Sequence, residues 1–386
     1  MSAGTALLFK SATRRQSFDD LLFEICEELQ LTPTKYELAE QRYRTIGKML
    51  CQPGSPFASQ DPTIYPQGSM RLGTTVHPID GPFDLDFVCQ LSVPYRPENP
   101  MEVLDNLFTF FKGSDRYKDM VEKKNRCVRV IYADDFYMDI LPACRDSGSG
   151  PTRIQVPDRG SHGWKPSDPI AYADWFRRKS QHRMYKFAGA RADVEPLPGL
   201  EASEEKEVLQ LVVQLLKRWR DRFYKRSDFP PISVVLTTLA ADLYRGEAST
   251  SEALLNALDG IVARLNSARV LGRRLSVINP VHEDEDFSER WDNRDNAYRE
   301  FDSGIRHFAK RWREVCESTG NPNKDFAELF GEVVPTVIEK RARRLQESRE
   351  KNELGIKSSG IIVPATAAAA VSRMRPNTNH GDSARN

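Results

Sequence analysis

Residues 66–91 read PQGSMRLGTTVHPIDGPFDLDFVCQL. Gln67-Gly68-Ser69 is a polar turn signal, and from Phe83 to Leu91 two aspartates, Asp84 and Asp86, alternate with Phe83, Leu85 and Phe87. Strand residues two apart share a face. The spacing therefore predicts a strand with both carboxylates on one face and the apolar residues on the other. Two carboxylates held side by side repel unless a cation sits between them. Hard oxygen donors from few protein groups suit Mg²⁺. A second apolar run, Phe136-Tyr137-Met138-Asp139-Ile140-Leu141-Pro142-Ala143, carries one acid, Asp139. Three carboxylates from two strands would hold a pair of ions, and such pairs drive in-line displacement at phosphorus. Gly68 has no side chain to block approach, so the turn would bring backbone N–H groups and the Ser69 hydroxyl to a phosphate.

Outward from this stretch, helical spacing is read over residues 16–30 (Phe18, Leu21, Leu22, Ile25, Leu29), with Ser17 expected as N-cap, and over 33–50, started by Pro33-Thr34. Residues 52–61 read as a loop and Thr63–Pro66 as a short strand. A helix is expected over Met101–Lys112, then a hairpin of Arg126–Ala133 and Phe136–Leu141, with Asp134 or Asp135 as a turn residue. Residues 145–168 are loop-rich with one short strand near Ile154, and the domain change is placed there. Helical signals follow over Ile170–Lys186, Ser203–Tyr224, a segment started by Pro230-Pro231, Ser251–Ser267, Arg294–Val315 and Asp325–Gln346. From about Lys357 the chain reads as poor in structure, a mobile tail with an alanine run.

The 386 residues suffice for two domains, and 56 Lys plus Arg against 55 Asp plus Glu leave the charge balanced. That balance argues against a protein built to coat long nucleic acid. No apolar run approaches bilayer length, and no secretory signal is read at the N-terminus. The six cysteines, Cys26, Cys51, Cys89, Cys127, Cys144 and Cys316, form no CxxC pair. They are expected as buried free thiols in a reducing cytoplasm.

The ordered set of a Gly-Ser turn, an acid-x-acid strand and one acid on a later strand resembles the nucleotidyltransferases of the DNA polymerase β-like superfamily. The fuller pattern, QGSMRLGT, FDLDFV and MDILPA, is most similar to the bacterial cyclic-oligonucleotide synthases (CD-NTases) of antiphage (CBASS) signalling. These are relatives of the animal cyclic GMP–AMP synthase and the oligoadenylate synthases. NPVHEDEDFSERW, from Asn279, is similar to a late element of that branch. The gap from Ser69 to Asp84 is slightly long for the superfamily, and no zinc-binding insertion like that of the animal DNA sensor is visible.

The resemblance implies an α+β fold: a polymerase β-like nucleotidyltransferase core, a mixed sheet flanked by helices, with a helical C-terminal domain. Residues 1–165 are expected to form the core with its N-terminal helices, 166–350 the helical domain closing the nucleotide cleft, and 351–386 the tail. Asp84, Asp86 and Asp139 are the expected catalytic and metal-binding residues, holding two Mg²⁺ ions, with Mn²⁺ as a substitute. Gln67, Gly68, Ser69, Arg71, Lys217 and Ser233 are the expected nucleotide-binding residues. Lys217 is a point charge suited to phosphate, and Ser233 starts a helix whose N-terminus attracts anions. In local terms, Lys217 also belongs to a basic run that would suit a solvated face, and Ser233 would suit a helix cap. Arg177-Arg178-Lys179 and Arg341–Arg344 are read as solvated helix faces. The implied reaction joins nucleoside triphosphates into a cyclic di- or trinucleotide messenger, with release of pyrophosphate. The implied partners are those triphosphates, a separate effector protein that responds to the product, and a conjugation or regulatory partner for the tail; no membrane and no long nucleic acid are expected. Two alternatives stay open: a template-independent transferase acting on RNA or another acceptor, and a non-catalytic nucleotide-binding relative.

Overall fold

The structure is a computed structural model that describes residues 12–92, 96–97, 99–133, 135–146, 150–181, 194–199, 205–292, 294–351, 353–357, 362–364 and 371–373. It opens with helices α1 (Ala12–Glu28) and α2 (Pro33–Cys51). Ser17, expected as an N-cap, lies inside α1. An extra turn precedes it, held in part by the Arg14 guanidinium over the Phe18 ring at 4.9 Å. In α2, Thr32 caps by accepting from the Lys35 N–H at 3.3 Å, and Pro33 takes the first turn, where its missing donor costs nothing.

Strand β1 (Thr63–Pro66) runs into the one-turn helix α3 (Gly68–Leu72), and β2 (Phe83–Leu91) follows. Helix α4 (Pro100–Lys112) leads to β3 (Val121–Lys123), β4 (Val128–Tyr132) and β5 (Phe136–Arg145). Next come β6 (Ile154–Asp158) and β7 (Gly163–Ser167), an antiparallel hairpin where one short strand was expected. Every residue of β7 is half-buried, so it carries no alternation to read. These strands form one mixed sheet in the order β1-β2-β5-β4-β3, with β6 joined to β5 and β7 to β6. β2 and β5 are parallel, and α4, β3 and β4 fill the crossover that parallel neighbours require. Phe83, Leu85 and Phe87 alternate into a core shared with Tyr43, Ile46, Leu104 and Leu107 of α2 and α4.

The rest is mainly helical: α5 (Pro169–Ser180), α6 (Val208–Phe223), α7 (Ser233–Leu243), α8 (Thr250–Val270), the hairpin β8 (Ile278–Asn279) and β9 (His282–Asp286), then α9 (Asp295–Glu317), α10 (Asn323–Phe330) and α11 (Val333–Glu350). The helix expected over 170–186 stops at Ser180, and residues 182–186 lie outside the described residues. α6 starts at Val208, later than expected, behind a capping box of Glu207 and Gln210. The single helix expected over 325–346 is two helices, broken at Gly331, whose φ of 81° no helix accommodates. The tail is not wholly without structure: β11 (Ile362–Pro364) and β12 (Val371–Arg373) flank β10 (Leu354–Lys357) in a small antiparallel sheet. α1 was expected with the sheet by its place in the chain. It packs instead in the helical core, where Phe18, Leu22 and Ile25 join Leu211, Leu215, Trp312 and Phe326. The basic cluster at 341–344 is not simply solvated, since Arg341 and Arg344 reach Glu24 of α1 at 3.2 and 3.3 Å. No helix among the described residues is long and apolar enough to cross a membrane.

Candidate active site

The site is built where α3 leans on β2. Gly68 sits at φ 60°, in the left-handed region. A Cβ there would stand 2.7 Å from Asp86 Oδ2. Glycine is thus required twice, by the backbone and by the close approach of a carboxylate. The Gln67 N–H donates to the Asp86 carbonyl at 2.9 Å, which ties the turn to the strand. The Thr74 N–H donates to the Ser69 carbonyl at 2.9 Å and the Thr75 hydroxyl to the Ser69 hydroxyl at 3.4 Å, closing the loop behind the turn.

Asp84 and Asp86 share one face of β2, as the alternation predicts, and Asp139 lies on β5 directly across from Asp86 in the parallel register. The Asp84 side chain is 60% exposed, whereas Asp139 keeps only 15%. Burial, then the neighbouring Asp139 and Asp84 carboxylates, push the Asp86 carboxyl up to about 7. Arg129 of β4 answers this crowding. Its guanidinium holds Asp139 with two bonds of 2.7 Å and reaches Asp84 Oδ1 at 3.2 Å. Arg129 was not found from the sequence, yet its signal was there: in a hairpin register of β4 against β5 it faces Asp139.

Across the cleft, α6 and α7 supply positive charge. Lys217 is buried, not solvated, and its Nζ donates to the Thr74 carbonyl at 2.8 Å. Burial, then Arg220, bring its ammonium down to about 8, while Asp221, Asp86 and Asp84 oppose the fall. Ser233 is the first residue of α7 and does not cap it; Ile232 takes that place. The Ser233 hydroxyl accepts from Arg220, which also pairs with Asp221. Arg220 is a second residue missed from the sequence, hidden in the basic run of LLKRWRD.

A cavity of about 430 Å³ joins these groups, a size ordinary for a small-molecule site. Gln67, Gly68, Ser69, Asp84, Asp86, Lys217 and Ser233 all line it. Arg71 lines it too, but its guanidinium is engaged by Glu195 at 3.2 Å and by the Pro66 carbonyl at 3.2 Å. Asp139 does not line it; Arg129 holds it back. The far wall is made by Tyr172, Asn279, Glu285 and Phe287, of which only the Asn279 segment was singled out from sequence.

The donor set has the chemistry for divalent cations: hard carboxylate oxygens on neighbouring positions of adjacent strands, with negative charge in excess around Asp86. Among the described residues, however, no three His, Cys, Asp or Glu side chains are gathered closely enough to hold one ion. In this arrangement the bidentate Arg129–Asp139 pair supplies neutralising charge beside Asp86.

Residues 16–180 match the family model described as the Second Messenger Oligonucleotide or Dinucleotide Synthetase domain. Over 383 residues the chain is 28% identical to the c-di-GMP synthase of Roseivirga ehrenbergii, covering 96% of this chain and 99% of that protein. The likeness to that synthase therefore runs nearly end to end, and the family model covers the sheet region of the chain. The chain is also 27% identical over 401 residues to the cyclic dinucleotide synthase CdnG of Bradyrhizobium diazoefficiens, with 94% of each chain covered. The structure of that CdnG in complex with GTP superposes with a TM-score of 0.70 at 24% identity, over 83% of this chain and 97% of the other. Both relatives are named as cyclic dinucleotide synthases, and each is matched along nearly its whole length. The matched domain carries the Gly-Ser turn and all three aspartates, while Lys217, Ser233 and the Asn279–Glu285 hairpin lie beyond it.

Proposed function

We propose that this chain joins two GTP molecules into cyclic di-GMP, using Asp84, Asp86 and Asp139 as its catalytic carboxylates. The similarity to a c-di-GMP synthase along nearly the whole chain supports the choice of base and product. The observation that carries the site assignment is the shared cavity, in which the Gly68-Ser69 turn and Asp84/Asp86 face Lys217 and Ser233. Triphosphate oxygens are held by the Gly68-Ser69 turn and Lys217, with Gln67 at the rim. Arg220 lends Ser233 its orientation and adds charge at the start of α7. Arg71 acts one step back, through Glu195 and the β1 end of the turn.

A 2′ or 3′ hydroxyl of one nucleotide attacks the α-phosphorus of the other. The new phosphorus–oxygen bond forms as the bond to the β-phosphate bridging oxygen breaks, and pyrophosphate leaves. The hydroxyl proton passes to a carboxylate of the β2–β5 pair, with Asp139, set back from the triphosphate, as the acceptor. A second attack within the linear intermediate closes the ring. Two Mg²⁺ ions, with Mn²⁺ as a substitute, would be held by Asp84, Asp86 and Asp139; when bound they supply neutralisation of the charge that develops at phosphorus. Asp139 would contribute through the lone pairs that Arg129 leaves free on its two oxygens. Alignment of the two nucleotides supplies much of the remaining rate.

As in the signalling systems this family serves, the product is proposed to act on a separate effector in antiphage defence, and the C-terminal segment to engage a conjugation or regulatory partner. The test of the core proposal is incubation with Mg²⁺ and ATP, GTP, CTP and UTP, singly and mixed, with no added acceptor. Mass spectrometry should find cyclic di-GMP and pyrophosphate from GTP alone. Asp84→Ala with Asp86→Ala should abolish both without loss of folded structure by circular dichroism. Undiminished product from that double variant would end the site assignment.

A further inference from the structure

The cavity that holds Asp84 and Asp86 contains a further carboxylate that the transfer chemistry does not use. Glu285 of β9 lines the cavity. Its Oε2 accepts from the Asn279 amide at 2.6 Å and its Oε1 from the Ser167 hydroxyl at 2.9 Å. The Asn279 amide is fixed in turn, because its own oxygen accepts the Val281 N–H at 3.1 Å, so its NH₂ faces Glu285. Asn279 is 2% exposed. Among the described residues no ion pair holds Glu285; burial raises its carboxyl above the ordinary value, while the Asp168 backbone N–H and, from farther off, Arg126 favour its ionised form. Beside it, Tyr172 and Phe287 present flat apolar walls, their rings edge to face with centroids 5.6 Å apart. The Tyr172 hydroxyl is already spent on Thr238 at 2.8 Å.

We infer that the Glu285 carboxylate, held by Asn279 and Ser167, reads the base of the bound nucleotide and selects guanine. The inference rests on the GTP reading above and names the group that enforces it. An ionised carboxylate only accepts hydrogen bonds, and the lone pairs not used by the Asn279 amide, the Ser167 hydroxyl and the Asp168 backbone N–H remain for a ligand. The Watson–Crick edge of guanine offers two adjacent donors, N1–H and the N2 amine, which a carboxylate takes as a charge-assisted pair. Adenine offers one donor, the N6 amine, beside a bare N1 lone pair that the carboxylate repels. Cytosine has the same mismatch at N3, and uracil flanks its single N–H with two carbonyl oxygens. A site built to hydrogen-bond a donor pair rejects bases that lack it, because its polar groups are then left unpaired.

The test measures binding, so it does not depend on turnover. The dissociation constants of the non-hydrolysable α,β-methylene analogues of GTP and ATP are determined by calorimetry, with Mg²⁺, for wild type, Glu285→Gln and Glu285→Asp. Thermal unfolding checks that each variant is folded. Wild type should bind the guanine analogue at least about 10-fold more tightly. Glu285→Gln should weaken the guanine analogue by about 10-fold or more and tighten the adenine analogue, because an amide donates to N1 and accepts from the N6 amine. Glu285→Asp, a shorter carboxylate, should keep the guanine preference at reduced affinity. Equal wild-type affinity for the two analogues, or a ratio unchanged in Glu285→Gln, would overturn the inference. Pyrophosphate release by wild type separates this outcome from failure of the transfer reading. Release with an unchanged ratio removes the base reader alone, and a shifted ratio without release removes the transfer alone.

Discussion

Lys217 and Asp86 face each other across the cleft with displaced ionisation, and each displacement has a measurable sign. Lys217 titrates near 8 because burial and Arg220 disfavour its charge. A triphosphate favours that charge. Above about pH 8 the free protein must therefore take up a proton to bind nucleotide, and affinity should fall as pH rises further, by up to about tenfold per unit. Calorimetry of a GTP analogue between pH 7 and 10, in buffers of different ionisation enthalpy, should show both the fall and the proton uptake. Lys217→Arg keeps its charge throughout and should flatten the profile. For Asp86 the folded-state pKa, about 7, lies above the ordinary carboxyl value. The native state then holds more protons than the unfolded state between about pH 4 and 7, so stability falls as pH rises through that window. Melting temperatures across the window should show the fall, and Asp86→Asn should remove most of it. Added Mg²⁺ should offset it in wild type above about pH 6, and chelation should restore it.

At the scale of elements, α3 and β2 act as one unit. Gly68→Ala would set a methyl 2.7 Å from Asp86 Oδ2 in a backbone conformation that disfavours any side chain. The expected cost is about 1 kcal/mol from the backbone alone, together with a displaced Asp86. Pyrophosphate release should therefore fall at least about tenfold, a drop much steeper than that loss of stability, and paired urea melts and rate assays would show it. α1 behaves differently. Its Phe18 is 1% exposed and meets Phe326 edge to face at 5.2 Å in the helical core. Phe18→Ala should cost about 3–5 kcal/mol in urea unfolding. If α1 belonged energetically to the sheet, the loss would appear in the unfolding of the sheet region. The contacts place it with the helices, so amide exchange should quicken first in α8–α10.

For the whole molecule, the smallest of the three cores among the described residues joins Tyr65, Val88 and Ile154, and the two larger, the sheet packed on α2 and α4 and the helices gathered around α6, flank the cleft. Contacts bridge them at the nucleotide site: Lys217 Nζ to the Thr74 carbonyl at 2.8 Å and the Gln214 amide to the Thr75 carbonyl at 2.8 Å. A nucleotide bound between them should stabilise both. At a hundredfold excess over its dissociation constant, a GTP analogue with Mg²⁺ should add about 2.7 kcal/mol. A single thermal transition moving upward as a whole would show the coupling, whereas a shift confined to one of two transitions would refute it.

The strand of alternating acids, its Gly-Ser approach and Asp139 were legible in order along the chain, because period-two patterning and turn chemistry are local properties. The bounds of β1 and β2 followed for the same reason. Local pattern misplaced Ser17, merged α10 with α11 and overlooked β7, where tertiary contacts or a single glycine outweighed periodicity. Only the folded chain decided that Arg129 would stand between Asp84 and Asp139, that Lys217 would be buried, and that Glu285 would close the far wall. Those groups meet across strand pairings and a cleft between two cores, and the energy of such meetings depends on distances that no single stretch of sequence encodes.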